Sequence, residues 1–151
     1  MRLRTIKFPG LQETFTVNDL VEDSVHPGCF YRWVDGQMEW QNPPMGDNVE
    51  YRTTERYRGY PVYRFLLNFG SLPNNTFKEH SLGVGHVTIV DIHGVCKSTE
   101  QLYEFPVVDN SGSARVWYYT REGADGDFIQ VWTNGDYSNS SAWFWVKYVK
   151  A

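Results

Sequence analysis

An all-β chain, folded as an antiparallel β-sandwich of jelly-roll type, is what this sequence predicts, and three observations carry the expectation. Aromatic residues make up 17% of the 151 residues, with six Trp and ten Tyr, and such side chains suit a half-buried pleated surface. Short segments of alternating or continuous apolar character recur along the chain, separated by turn dipeptides such as Asp35-Gly36, Arg58-Gly59 and Asn134-Gly135. Long runs of Ala, Leu, Glu or Lys at helical spacing are absent. The length suits one compact domain with a substantial core and is too short for two of ordinary size.

Taken in order, residues 1–28 read as a leading attachment segment with one short strand, Thr14 to Val17, between the breaks Pro9-Gly10 and His26-Pro27-Gly28. The domain proper is expected over residues 29–151. Phe30 to Val34 and Gln37 to Trp40 flank Asp35-Gly36, a dipeptide suited to the positive φ angles of a two-residue hairpin turn. Pro43-Pro44 then imposes an extended connection that donates no backbone hydrogen bond. Val49 to Tyr57 and Tyr60 to Phe69 form two strands about the Arg58-Gly59 turn, and the chain leaves through Gly70, Pro73 and Asn74-Asn75. His86 to Ile92 is apolar on both faces and reads as a central strand. Val116 to Thr120 and Phe128 to Trp132 are strands on either side of a Gly/Asp-rich loop from Arg121 to Asp127. In the last strand, Ala142 to Val149, Phe144, Val146 and Tyr148 share one face and Trp143, Trp145 and Val149 the other, which predicts contact on both sides.

The formal net charge of −4 excludes a global attraction for nucleic-acid backbone. The two cysteines, Cys29 and Cys96, read as two buried thiols, with a disulfide as the alternative. No run reaches the roughly 20 apolar residues of a membrane span. The start, Met1 to Lys7, has basic charge without the apolar core of a secretory signal.

Candidate chemistry is sparse. His26, His80, His86 and His93 show no metal-ligand spacing, so no metal or other cofactor is expected. Glu122 to Asp127 clusters three carboxylates with glycines; calcium is one reading and a solvated turn the favoured one. Asp109 with Asp136, and Glu100 with Glu104, are carboxylate pairs without a spacing that defines glycosidase chemistry. There is no nucleophile elbow of the form G-x-S-x-G, and no enzyme is expected. Asn74-Asn75-Thr76 and Asn139-Ser140-Ser141 match the glycosylation acceptor pattern and read as plain turns in a chain without a signal. Saccharide binding needs aromatic faces beside hydrogen-bonding side chains. Trp132, Asn134, Asp136 and Tyr137 at one turn, with Tyr119 and Arg121 at another, supply both classes. The competing reading of these aromatics is core or subunit-interface packing.

Three stretches carry a family resemblance. They are Glu39-Trp40-Gln41-Asn42-Pro43-Pro44-Met45, the run VEYRTTERYRGYPVYRFLLNFGSLPNNT from Val49 to Thr76, and Trp145-Val146-Lys147-Tyr148-Val149-Lys150 at the end. In this order they resemble the receptor-binding tip domain of bacteriophage and prophage tail fibres over roughly residues 30 to 150. Phe8-Pro9-Gly10-Leu11 is similar to a segment that precedes that domain. A departure is Leu82-Gly83, where many relatives place His-Gly, so no role is carried to a histidine. The resemblance implies a non-enzymatic virion component, made in the bacterial cytoplasm and delivered by lysis. Its task would be attachment to the host surface, through saccharide or another receptor, as a homotrimer alongside other virion proteins. The alternative within the virion is a structural head-fibre, collar or baseplate piece; a free bacterial sugar-binding module or glycosidase is a third class.

Overall fold

The computed structural model describes residues 3–7, 14–18, 20–99, 101–109, 112–120 and 126–150. These contain fourteen strands and no helix: β1 (Leu3–Lys7), β2 (Thr14–Asn18), β3 (Val21–Glu22), β4 (Phe30–Val34), β5 (Gln37–Trp40), β6 (Glu50–Tyr57), β7 (Tyr60–Ser71), β8 (Phe77–Ser81), β9 (Thr88–Lys97), β10 (Leu102–Glu104), β11 (Val107–Asp109), β12 (Gly112–Thr120), β13 (Asp127–Asn134) and β14 (Ser141–Val149). The protein is all-β, as its composition and turn spacing predict.

Eight strands form a large sheet in the order β10-β9-β14-β7-β6-β5-β4-β3, and four form a small sheet, β11-β12-β13-β8; β1 and β2 pair as a separate hairpin. Strand pairs are antiparallel except β5 with β6, which meet in parallel at Trp40 and Thr53. The chain changes sheets between β7 and β8, β8 and β9, β10 and β11, and β13 and β14. Tertiary packing therefore depends on pairings distant in sequence.

Alternation builds the core. In β7, Phe65, Leu67 and Phe69 point inward; in β14, Ala142, Phe144, Val146 and Tyr148 do so beside them. They meet Ala114 of β12 and Ile129 and Val131 of β13, with Cys96, Leu72, Leu82 and Tyr137 completing one apolar cluster. The two sheets thus close a sandwich about a shared interior. Short edges protect it from further pairing: β10 and β11 have three residues each and β3 two.

Both predicted two-residue turns form. Asp35 and Gly36 have φ 49° and 72°, and Arg58 and Gly59 have φ 51° and 85°, the paired left-handed geometry that matches strand twist. Four details differ from the sequence reading. His86 lies before the strand, which begins at Thr88 and runs on to Lys97. The last strand is buried through Phe144, Val146 and Tyr148 on one face, while on the other Val149 is buried, Trp143 half-buried and Trp145 38% exposed. Both cysteines are free, but Cys29 is only half-buried. Before residue 28 there are two further strands, and β3 pairs with β4, so this part of the lead-in is tied to the large sheet.

Candidate functional site

The small sheet places one predicted aromatic on an open face. Along β13, Ile129, Val131 and Thr133 are buried, while Phe128, Gln130 and Trp132 turn the other way and are half-buried. Register then assembles their neighbours. Trp132 stands opposite Phe77 of β8 and Arg115 of β12. Phe77 is 56% exposed, a large apolar side chain left in water next to an indole. Gln130 donates to Glu79 at 3.1 Å across the same pair of strands. Tyr119 pairs with Phe128 by backbone register; Arg121 lies outside the described residues.

The turn after β13 borders this face. Asn134 and Asp136 are exposed, and Asp136 bridges to Asn74, while the Asn75 N–H donates to the Gly135 carbonyl at 3.0 Å. Asp136 accepts from the Ser138 hydroxyl at 2.6 Å and from the Ser138 N–H at 3.0 Å. The Ser138 hydroxyl is the main reason its carboxyl sits below the ordinary carboxylate range. Tyr137, by contrast, is 5% exposed and belongs to the core. It therefore presents no ring face to a ligand, and Trp132 and Phe77 form the aromatic part of the site. Phe77 was absent from the sequence-derived set because its pairing with Trp132 spans 55 residues and follows from strand register alone.

The calcium reading falls mainly on Glu122 to Asp125, outside the described residues. Asp127 has a structural post: it is buried, accepts from the Val87 N–H at 2.9 Å and from the Tyr118 hydroxyl, and lies 3.2 Å from His86 Nδ1. Among the described residues no group of three or more His, Cys, Asp or Glu is placed to hold a metal. Of the carboxylate pairs, Glu100 is outside the described residues and Glu104 is exposed, its carboxylate 3.9 Å from His93.

The outer face of the large sheet carries a second constellation that sequence alternation did not single out. Arg64 and Lys147 are register partners and both bond Glu55, Lys147 at 3.1 Å. Partial burial pushes the Glu55 carboxyl up, but the bonds from Arg64 and Lys147 outweigh it and hold it below the ordinary range. Beside them stands Trp145, its ring 5.9 Å from that of His93.

No family model, curated protein or solved structure matches the chain. The functional reading therefore rests on the surfaces themselves and on the sequence resemblance.

Proposed function

We propose that the chain is a virion attachment protein of the tail-fibre tip class, which binds bacterial surface saccharide through the outer face of the small sheet. The observation that carries the reading is the pairing of half-buried Trp132 with exposed Phe77, flanked by Arg115, Asn134 and Asp136. Apolar sugar faces stack on such rings, and hydroxyls bond to the amide, carboxylate and guanidinium beside them. Phe77, Arg115, Asn134 and Asp136 are exposed around half-buried Trp132, which suits a surface polymer better than an enclosed small molecule.

The test is cell labelling. A fluorescent preparation of the chain is expected to label strains within a panel of bacteria. Trp132→Ala is expected to reduce labelling at least tenfold while far-ultraviolet circular dichroism and the unfolding midpoint stay close to the parent. Asn134→Ala should weaken labelling less, since it removes one polar contact. A parent chain that labels no strain but captures another virion protein through Trp132 and Phe77 would be a structural piece, and the adhesin reading would be lost.

A further inference from the structure

We propose that the large sheet carries a second, separate saccharide site at Trp145, specific for neutral pyranosides with vicinal hydroxyl groups. A pocket of about 220 Å³ opens on its outer face, lined by Met45, Arg64, Asp91, Trp145, Val146 and Lys147. Asp91 and Lys147 are register partners on β9 and β14, so a carboxylate and an ammonium stand side by side next to an exposed indole.

The state of each polar group indicates the ligand. Asp91 is exposed and its carboxylate makes no hydrogen bond or ion pair with another described residue, so its two oxygens can accept from two neighbouring hydroxyls. Lys147 and Arg64 are tethered to Glu55, which does not line the pocket; the bonds orient them and offset part of their charge. The Arg64 Nε is buried, so the donors to sugar oxygens are the Lys147 ammonium and the terminal guanidinium nitrogens of Arg64. Counting Arg64, Lys147, Glu55 and Asp91 together, two cations face two carboxylates. A balanced set disfavours a charged ligand and favours one that both donates and accepts. Trp145 supplies the stacking plate, and Met45, held in the left-handed region at φ 54°, forms part of the wall.

A larger cleft of about 740 Å³, between β7 and the segment 80–84, lacks this combination. Its carboxylate, Glu50, already accepts from the Tyr148 hydroxyl and from Lys150 at 2.6 Å, and no Trp lines it. The Trp145 site stands independently of the small-sheet face and of any role in a virion.

The experiment is nuclear magnetic resonance titration of the ¹⁵N-labelled chain with methyl glycosides of mannose, galactose, glucose and fucose, and with galacturonic acid. At least one neutral glycoside is expected to shift the Trp145 indole and Asp91 amide signals at millimolar concentration, with galacturonic acid at least fivefold weaker. Asp91→Asn, which leaves apolar packing untouched, should weaken that binding about tenfold or more, and Trp145→Ala should abolish it. Trp132→Ala should leave it unchanged, which separates this site from the small-sheet face. No shift at Trp145 with any glycoside, tighter binding of galacturonic acid, or unaltered affinity in Asp91→Asn would each overturn the proposal.

Discussion

Glu39 has no exposed surface, yet its carboxylate lies among three guanidinium groups: Arg56 at 2.5 Å, Arg52 at 3.0 Å and Arg32 at 3.3 Å. Arg32 comes from β4 and Arg52 and Arg56 from β6, on either side of Glu39 on β5, so one charge ties together the wing of the large sheet where β5 and β6 share a single register pair. Removing it leaves three cations close together with no counter-charge. Breaking a buried, hydrogen-bonded pair on one side costs about 3–5 kcal/mol. Glu39→Gln is expected to lose stability of that order in urea unfolding. Glu55, whose side chain is 38% exposed, bonds two cations at a site open to solvent. Glu55→Gln should cost only about 0–1 kcal/mol, as water and salt screen the pair. Because its folded-state pKa is depressed, the Glu55 contribution holds above the ordinary carboxylate range and fades as pH falls through the lowered value. Equal losses in the two variants would show that the Glu39 cluster is not a dry ion network. None of this was legible beforehand: the sequence shows four arginines from Arg52 to Arg64, but not that two of them and Arg32 aim at one glutamate.

At the scale of elements, legibility follows locality. The hairpins at Asp35-Gly36 and Arg58-Gly59 were readable because the turn residues and both flanking strands lie within one short window. The strand β14 was placed correctly, but the exposure of Trp145 on its outer face was not foreseen: alternation says that Trp143 and Trp145 share a side, and cannot say how far each is covered. In a two-layer sandwich the small sheet packs on one face of β14, where Phe144, Val146 and Tyr148 join the core, and on the other face Trp145 is left exposed. The same limit hid the pairing of Phe77 with Trp132 and the burial of Tyr137. Gly94 gives an element-level prediction. It stands opposite Phe144 where β9 and β14 pair, and a Cβ built there would lie 2.3 Å from the Phe144 ring and 3.1 Å from Phe105. Phe144 is fully buried and packs edge-on to Phe69, with Phe105 tilted against it, so it has little room to yield. Gly94→Ala is expected to destabilise by about 1–3 kcal/mol through overpacking, with a lower unfolding midpoint. Gly94→Ala paired with Phe144→Leu should recover part of that loss; an unchanged midpoint in the single variant would mean the two sheets can move apart at this layer.

For the whole molecule, the decisive quantity is the number of copies. One open, shallow sugar site of about millimolar strength corresponds to only about 4 kcal/mol, too weak to hold a particle to a cell. Three tethered copies raise avidity by factors of about 10²–10⁴ without a new contact. The homotrimer that the resemblance implies is therefore part of the functional proposal, and it makes a demand on the surface: the trimer interface and the Trp132–Phe77 face must differ. The light-scattering mass of the purified chain is expected near three times 17.6 kDa, and Trp132→Ala should keep that mass while losing cell labelling. A trimer that dissociates in Trp132→Ala would assign Trp132 and Phe77 to subunit packing and shift saccharide recognition to the Trp145 face. A parent chain that stays monomeric on concentration would remove the avidity argument and favour a module that assembles only on a virion partner.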